Sequence, residues 1–298
     1  MLLKEFIMLT NKNILIGVSS SIAIYKTLEL IRLFIKANAN VRVIMTPASK
    51  KFITPLTFET ISQNKVLIED TESWADDNNH IDIGKWSDLF IIAPATANTI
   101  NKLSNGIADN LLLQSALAYP RVKLLAPAAN TNMIQNPLTK ASLKMLKLCN
   151  FKILSTQTKE LACKDTGDGA MAEPSDIFHA AVKELLKDEY WIDRKIVLNG
   201  GGTIEKIDDI RYISNFSSGK MANALATALY YKGADVCIVS SLNSEKLSIS
   251  GIHQIKVESA EEMLLFCNDS IRVAKKGKLS EATLMDNSHQ QLIQKKPY

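Results

Sequence analysis

The sequence is poor in cysteine, and its few cysteines form no recognisable pattern. Cys149, Cys163, Cys237 and Cys267 lie far apart, and no CxxC or Cys/His spacing typical of a metal site occurs. This excludes a disulfide framework, gives no indication of a metal, and favours the reducing cytoplasm. The chain also lacks an uninterrupted apolar run of the ~18 residues needed to cross a membrane. We therefore expect a cytoplasmic protein with no membrane partner.

The chain lacks a strong excess of either charge. Lysine and arginine together number 35 and aspartate and glutamate 31, which leaves a net charge of +4. An imbalance this small does not indicate a nucleic-acid partner. With 298 residues, of which 46% are hydrophobic, the chain is long enough for two globular domains with substantial cores.

Short apolar runs alternate with helical patterns in two successive parts of the chain. In the first part the predicted strands are Asn13–Val18, Asn40–Met45, 89–92, Val122–Ala126 and Phe151–Leu154. Strands that alternate with helices predict a mostly parallel sheet with helices on both faces. A linker, DEYWIDR, precedes a second α/β pattern, which begins at Lys195 and fails after about Asn268.

The segment Asp88–Thr99, DLFIIAPATANT, combines an apolar strand with small polar residues after it. The run LFII is typical of a strand covered on both faces, and Pro94 is expected to end the strand because proline has no N–H to donate. Thr96 and Asn98 would then lie at the carboxyl end of a parallel strand, where open α/β sheets bind ligands. Threonine and asparagine also cap helices, so the segment alone favours a ligand site only slightly.

A serine-rich turn, Gly17–Ser21, follows the first predicted strand. The N–H groups and the dipole at a helix start favour an anion, and serine hydroxyls add donors, so a phosphate would fit. The turn matches neither GxGxxG nor GxxxxGK[ST], which excludes the usual dinucleotide and P-loop fingerprints. A serine that only caps the following helix is equally consistent with these residues.

Four further residues carry chemistry but are weak indicators one at a time. A lone His80, Asn130 at a helix start and Met133 are each more typical of structural positions. A lone cysteine such as Cys163 is ordinarily a buried, unreactive thiol. It precedes Gly167-Asp168-Gly169, however, a stretch that can fold over a pocket as a flap, where a protonated thiol can donate a proton.

Several stretches, taken together in their order and spacing, resemble one family. The N-terminal part is similar to the flavin-dependent cysteine decarboxylases, and the whole order resembles the bacterial bifunctional phosphopantothenoylcysteine decarboxylase/phosphopantothenate–cysteine ligases of coenzyme A biosynthesis. The matching stretches are GVSSSIAIYK (17–26), VRVIMTPASKKFITPLTFETIS (41–62), HIDIGKWSDLFIIAPATANTINKLSNGIADNLL (80–112), APAANTNM (126–133), ELACKDTGDGAMAEP (160–174) and NGGGTIEKIDDIRYISNFSSGKMANALA (199–226). The resemblance implies an α/β, Rossmann-like (flavodoxin-like) parallel-sheet flavoprotein domain over residues 1–190. It implies a second, incomplete Rossmann-like α/β domain over residues 191–298.

The resemblance implies FMN as the cofactor of the first domain and a role for each matching residue. The residues that would bind FMN are Gly17, Ser19, Ser20, Ser21, Thr46, Pro94, Ala95, Thr96 and Asn98. His80 would be the base in oxidation of the substrate's cysteine moiety, and Cys163 would protonate the enethiol that remains once CO2 has left. Asn130 would hold the substrate carboxylate, with Met133 beside it. The substrate would be 4′-phosphopantothenoylcysteine, the product 4′-phosphopantetheine, and the assembly a homo-oligomer, a trimer or a multiple of trimers.

In the second domain the resemblance implies joining of phosphopantothenate to cysteine with CTP and Mg²⁺. Gly200–Thr203 would cradle a phosphate, and Arg211 and Asn215 in RYISN would contact the substrate. The family's later CTP-binding stretch does not follow, the resemblance ends at about Asn268, and residues 278–298 show no convincing period. We therefore expect a truncated domain with a loose end and no ligase activity, with CTP and Mg²⁺ as cofactors only if the domain is functional.

Some residues depart from the family pattern and leave other functions open. Ser20 and Ser21 stand where glycine is common, Ala129 replaces a methionine, and Lys164 and Ala170 replace a glycine and an arginine of the flap. A lysine beside the cysteine would lower the pKa of that thiol. A flavin decarboxylase of another thiol substrate and a catalytically weak FMN-binding regulatory or assembly subunit therefore remain alternatives.

Overall fold

The computed structural model describes residues 9–76, 78–160 and 166–276. The chain forms two compact units, Met1–Ala181 and Val182–Tyr298. The division falls a few residues before the domain boundary expected at residue 190. The sequence stretch expected to be loose, 278–298, lies outside the described residues.

The first unit is built on a parallel sheet with the strand order β2-β1-β3-β4-β5. Its strands are β1 (Asn13–Val18), β2 (Asn40–Met45), β3 (Leu89–Ala95), β4 (Lys123–Pro127) and β5 (Phe151–Ile153). This is the flavodoxin-like order, in which the connections reverse direction between β1 and β3. The predicted fold class of this unit is confirmed.

Helices connect the strands of this sheet, as the alternating pattern predicts. They are α1 (Ile24–Lys36), α2 (Pro55–Ser62), α3 (Asp82–Trp86), α4 (Ala97–Ser104), α5 (Leu111–Ala118), α6 (Thr131–Gln135), α7 (Pro137–Leu148) and α8 (Pro174–Leu186), with 3-10 turns at Pro47–Lys51 and Glu69–Thr71. Asn110 caps α5 by accepting a hydrogen bond from the N–H of Leu113, 3.1 Å away. Such caps set the residue at which a helix begins.

The core of the first unit lies around β3, which is buried along its whole length. The Phe90 ring packs edge-on against Tyr119, with the ring centroids 5.7 Å apart, and both contact the apolar face of α5. Gly17 of β1 lies beneath this layer. A Cβ atom there would meet Phe90 at 3.0 Å and Leu112 at 3.1 Å, so the glycine permits close packing of the sheet against α5.

The expectation that Pro94 ends the strand is wrong. β3 continues to Ala95, and the pairing with β4 shifts register between Ile92 and Ala95 before resuming at Pro127. The proline lies within this irregularity, where the ladder does not use its missing N–H. β3 therefore includes Pro94 and Ala95 at the carboxyl end of the sheet, and Thr96 lies at the start of the next helix.

A β-hairpin follows the sheet, over the stretch that the sequence interpretation described only as a flap. Its strands are β6 (Gln157–Glu160) and β7 (Thr166–Ala170), paired antiparallel from Gln157 with Ala170 to Glu160 with Thr166. The connection between the two strands, with Cys163 and Lys164, lies outside the described residues.

The second unit contains a smaller parallel sheet with the strand order β12-β11-β8 and a separate antiparallel ribbon. Its elements are β8 (Lys195–Gly200), β9 (Glu205–Lys206), β10 (Tyr212–Ile213), α9 (Lys220–Tyr231), β11 (Asp235–Ser241), β12 (His253–Val257) and α10 (Ala260–Lys276). A second α/β unit is thus confirmed. The ribbon and β12 had no counterpart in the sequence interpretation.

The expected loss of pattern after Asn268 is wrong for the next helical turns. Helix α10 runs to Lys276, and Phe266, Ser270 and Val273 are buried on it. These positions are four and three residues apart, so their side chains lie on the same face of the helix. The spacing was present in the sequence but was obscured because one of its members is a serine.

Across the described ranges, no helix is both long and apolar enough to cross a bilayer.

Candidate functional site

The candidate site lies at the carboxyl ends of β1, β2, β3 and β4, where backbone and side-chain hydrogen bonds join the successive strand ends. The N–H of Thr46 donates to the carbonyl of Val18, 3.1 Å away, which joins β2 to β1. The N–H of Ala128 donates to the carbonyl of Ala95, 2.9 Å away, which joins the loop after β4 to β3. The reversal between β1 and β3 is the place where sheets of this order form a ligand crevice.

Ser19 connects the end of β1 to the end of β3. Its hydroxyl donates to the carbonyl of Pro94 at 2.7 Å and accepts from the N–H of Thr96 at 3.0 Å. Its backbone N–H also donates to the Pro94 carbonyl, 3.3 Å away. Ser19 is buried, and its hydroxyl proton is used within the protein. The Ser19 hydroxyl therefore holds the ends of β1 and β3 together in this structure, and its contact with a phosphate stays a prediction.

Substitution of Ser19 by alanine is expected to lower the free energy of unfolding by about 1–3 kcal/mol. It would remove a buried hydroxyl and leave the N–H of Thr96 and the carbonyl of Pro94 with fewer partners. Equilibrium denaturation of the protein without ligand would measure this. Ser20→Ala is the control, because Ser20 is only half-buried and a surface change of this kind shifts stability by about 0.5 kcal/mol or less. Equal stability of the two variants would contradict the positioning role.

Thr46 directly follows β2 and carries an unusual hydroxyl. The residue is buried, and among the described residues its Oγ1 atom has no hydrogen-bond partner. It occupies the N-cap position of the 3-10 turn Pro47–Lys51, yet its side chain makes no capping bond. A buried hydroxyl without a partner is costly, so such atoms usually mark a place that another group fills.

The polar residues after β3 are used partly as helix caps, the alternative that the sequence left open. Thr96 caps α4 by accepting from the N–H of Thr99, 3.3 Å away, and its hydroxyl lies 3.1 Å from that of Thr99. Asn98, in the first turn of α4, is exposed. In the turn after β1, Ser21 similarly accepts from the N–H of Ala23 at 3.3 Å. Acceptance of these bonds leaves the hydroxyl proton of Ser21 available for a further acceptor.

The hairpin lies directly on the loop that follows β4. The N–H of Ala129 donates to the carbonyl of Gly169, 3.1 Å away. A Cβ atom on Gly169 would lie 2.1 Å from the Ala129 carbonyl oxygen, and one on Gly167 would lie 2.0 Å from the Thr131 hydroxyl oxygen. Glycine is therefore required at both positions for the hairpin to approach the loop this closely.

Asn130 lies in this loop, between the strand end and the hairpin. Its side-chain oxygen accepts from the N–H of Asn132 at 2.9 Å and caps α6. Met133, in the first turn of α6, has half of its surface exposed. The structure thus places both residues beside β7, the second strand of the hairpin.

His80 is held by a carboxylate that the sequence did not reveal. Its Nδ1 atom lies 2.8 Å from Oε1 of Glu72, and both side chains are about three-quarters buried, with relative exposures of 23% and 24%. The Trp74 ring packs edge-on against the imidazole, with the centroids 5.5 Å apart. No sequence spacing predicts a glutamate eight residues before the histidine, because the contact depends on how the intervening loop closes.

The predicted residues of the second unit are only partly brought together. Asn215 lies against the glycine turn after β8: a Cβ on Gly202 would be 2.3 Å from the Asn215 side-chain oxygen. Arg211 instead pairs with Asp208 of its own ribbon turn, with Nε and Oδ2 2.7 Å apart. These bonds hold the pKa of the Asp208 carboxyl below its usual value. The Arg211 side chain remains largely exposed.

Two family models match the chain. The Flavoprotein model covers residues 4–186, and the model of the DNA/pantothenate metabolism flavoprotein C-terminal domain covers residues 191–296. The second match extends beyond Asn268, so the expectation that resemblance ends there is wrong. It also provides a second line of evidence, independent of the fold, that two different domains follow one another.

Curated relatives and solved structures give the same assignment. The coenzyme A biosynthesis bifunctional protein CoaBC of Borreliella burgdorferi is 39% identical over 256 residues, which are 85% of this chain and 65% of that protein. The chain spans 64–65% of the length of the first curated relatives that it matches. A PPC decarboxylase mutant complexed with pantothenoylaminoethenethiol is 33% identical, with a TM-score of 0.52 over 57% of this chain and 96% of that one. The FMN binding protein AtHal3 is 33% identical, with a TM-score of 0.50 over 57% of this chain and 95% of that one.

Proposed function

The chain belongs to the flavoprotein family, and from that membership we propose that its first unit binds FMN and decarboxylates 4′-phosphopantothenoylcysteine. The observation that carries the proposal is the buried Thr46 hydroxyl, which has no partner among the described residues and lies at the carboxyl end of β2, the strand next to β1 in the flavodoxin-like sheet. Similarity to an FMN binding protein and to a PPC decarboxylase supports the cofactor and the reaction. A match to a pantothenate metabolism domain in the same chain favours the phosphopantothenoyl substrate over another thiol.

The residues at the strand ends fit a phosphate-bearing flavin. The Thr46 hydroxyl can donate to a phosphate oxygen, and Ser20 and Ser21 add hydroxyls at the start of α1, where the helix dipole favours an anion. Ser19 holds Pro94 and Thr96 in place, so these residues and Ala95 and Asn98 can form the wall along which the flavin lies. Gly17 contributes close packing beneath this turn.

Substitution of Thr46 by valine is expected to raise the dissociation constant of FMN about 10- to 100-fold. A hydrogen bond to a charged phosphate contributes roughly 1.5–3 kcal/mol, and valine cannot make it. The same change should leave the unfolding free energy of the FMN-free protein unchanged or raise it by up to about 1 kcal/mol, because the lost hydroxyl has no partner. Flavin fluorescence titration and denaturation would measure the two effects.

The conservative variant Thr46→Ser is the control for this experiment. It keeps a hydroxyl at the same position, so its affinity for FMN should stay closer to the wild type than that of Thr46→Val. Weakened binding in both variants to the same extent, or unchanged binding in both, would show that the hydroxyl does not contact the cofactor.

FMN, when bound, would supply the two-electron redox chemistry that the side chains lack, by taking a hydride from the substrate's cysteine moiety and returning it once CO2 has left. His80 would take a proton from the substrate thiol as the cysteine moiety is oxidised, and Asn130 would hold the carboxylate that leaves as CO2. Cys163 would then protonate the enethiol that remains. The ethenethiol ligand of the solved PPC decarboxylase mutant is of this chemical type and supports the sequence of steps.

For the second unit we propose contact with phosphopantothenate through the turn Gly200–Thr203 and Asn215. The packing of Asn215 on Gly202 supports this placement. Arg211 would have to exchange its Asp208 partner for the substrate, which its exposure permits. CTP and Mg²⁺ would serve this unit only if its ligase function were retained, and we expect the 298-residue chain to lack that activity. We expect the assembly to be a cytoplasmic homo-oligomer of three subunits or a multiple of three.

The decisive experiment is reconstitution of the purified 298-residue chain with FMN, followed by assay with 4′-phosphopantothenoylcysteine. Yellow protein that releases CO2 and forms 4′-phosphopantetheine is the expected result. Yellow protein inactive on this substrate but active on other cysteine-terminated thiols would indicate a different substrate, and yellow protein without any decarboxylation would indicate a regulatory subunit. Protein that stays colourless would refute the proposal. A parallel assay with phosphopantothenate, cysteine, CTP and Mg²⁺ would test the second unit.

A further inference from the structure

Glu72 and His80 form a titratable pair whose side chains are both largely buried. Oε1 of Glu72 lies 2.8 Å from the imidazole Nδ1 and 3.4 Å from the backbone N–H of His80. One carboxylate oxygen therefore meets both the side chain and the main chain of the histidine. This double contact fixes the position of the ring as well as its direction.

The loop around the pair is closed independently of it. The backbones of Ser73 and Asn78 exchange hydrogen bonds of 2.9 and 3.1 Å, so that Glu72 and His80 lie near each other at the loop's base. Asn79 is fully buried, and its side-chain oxygen accepts from the N–H groups of Ile81 and Asp82 at 2.9 and 3.0 Å. The segment that carries His80 is therefore rigidly anchored on both sides.

From these contacts we propose that Glu72 is a positioning residue, which holds His80 in the tautomer that carries its proton on Nδ1. A carboxylate can only accept, so the neutral imidazole places its proton on the nitrogen facing Glu72. Nε2 is then left with its lone pair and can accept a proton. The inference deepens the proposed function, because it rests on His80 acting as the base in that reaction.

Two other carboxylates described on this segment, those of Asp76 and Asp82, have partners elsewhere. The Asp82 carboxylate pairs with Lys85, with Oδ1 and Nζ 2.9 Å apart, and also accepts from the Asn79 amide. Asp76 accepts from the hydroxyl of Ser73 at 3.1 Å. Within the described part of the chain, Glu72 is thus the carboxylate that contacts the His80 ring, and Trp74 packs against the same ring.

The first test measures the tautomer directly and needs no cofactor or substrate. The chain has four histidines, so long-range ¹⁵N–¹H NMR spectra can resolve each ring, and His80→Gln identifies the signals of His80. We expect the wild-type ring to carry its proton on Nδ1. Glu72→Leu should move a substantial fraction of the proton to Nε2, whereas Glu69→Leu, which removes a nearby exposed carboxylate, should not. An unchanged tautomer in Glu72→Leu would overturn the proposal.

The second test connects the tautomer to the reaction. Glu72→Leu should lower kcat for decarboxylation about 10- to 100-fold, part of the ~10²–10⁴ that a positioned base contributes, with little change in KM or in FMN affinity. In the background of His80→Gln the same substitution should have no further effect. A changed tautomer with an unchanged kcat would overturn the catalytic part of the inference.

The two tests separate failure of this inference from failure of the proposed function. If the wild-type protein releases no CO2, the proposed function is wrong, and the NMR spectra still decide whether Glu72 orients His80. If His80→Gln decarboxylates the substrate at the wild-type rate, His80 is not the base, and the inferred catalytic role of Glu72 is wrong as well.

Discussion

Replacement of Cys163 by serine is expected to allow CO2 release and to lower formation of the final thiol product at least ~100-fold. Under the proposed function, the enethiol that remains after decarboxylation must gain a proton as well as the hydride taken earlier from the substrate, and a thiol is a far better proton donor than an aliphatic hydroxyl. Mass spectrometry of the bound and released products, with CO2 measured in parallel, would detect an enethiol in place of 4′-phosphopantetheine.

A second cysteine gives the matched control for this experiment. Cys149 caps the end of α7 and is exposed, so Cys149→Ser should form the final thiol at the wild-type rate. If Cys163→Ser forms the thiol as fast as Cys149→Ser does, another group donates the proton. Cys163 lies outside the described part of the chain, and its proposed role follows from the family resemblance and from the acidity of a thiol.

The sheet of the first unit could be predicted from sequence because its signals are local. LFII and the other apolar runs specify strands by their composition, and the connecting stretches have helical periodicity. The expectation was wrong at Pro94, because whether a proline interrupts a strand depends on the register of pairing, which the sequence does not show. A proline ends a strand only where the ladder needs its N–H, and the shifted pairing between β3 and β4 does not.

The resemblance named residues for the candidate site, and the structure adds which of their polar atoms already have partners. The resemblance selected Ser19 and Thr46 as equivalent FMN contacts, but the structure distinguishes them. The Ser19 hydroxyl donates its hydrogen bond to the Pro94 carbonyl, whereas the Thr46 hydroxyl has no partner among the described residues. Only three-dimensional pairing reveals which of two similar side chains remains available for a ligand.

Contacts between distant segments were the part that the sequence could not reveal. Glu72 and His80 are joined by the closure of a loop, and Ala129 and Gly169 by the approach of a hairpin forty residues further along the chain. Neither contact follows from periodicity, which relates only residues three or four apart in a helix and two apart in a strand. Sequence motifs marked His80, Ala129 and Gly169 as notable without indicating what each one touches. They gave no indication of Glu72.

Substitution of Gly169 by alanine is expected to lower decarboxylation about 100-fold or more while FMN binding stays close to that of the wild type. The added Cβ would lie 2.1 Å from the Ala129 carbonyl oxygen. Because the obstructing atom belongs to the backbone, no side-chain rotation can relieve the contact, and the hairpin has to move away from the loop. A displacement of about 1 Å in a catalytic segment is enough for a 100-fold loss.

The pattern of effects distinguishes a displaced hairpin from general damage. Thr46, Ser20 and Ser21 belong to other segments, so flavin titration of Gly169→Ala should give an FMN affinity within about threefold of the wild type. Gly84→Ala is the control, because its nearest contact would be the Tyr119 ring at 3.8 Å and alanine favours the helix by roughly 0.5–1 kcal/mol. Wild-type turnover in Gly169→Ala would show that the chemistry does not depend on the contact between hairpin and loop. Loss of both turnover and FMN binding would mean that the hairpin also supports the cofactor site. The expectation that the hairpin affects turnover without affecting FMN binding would then be wrong.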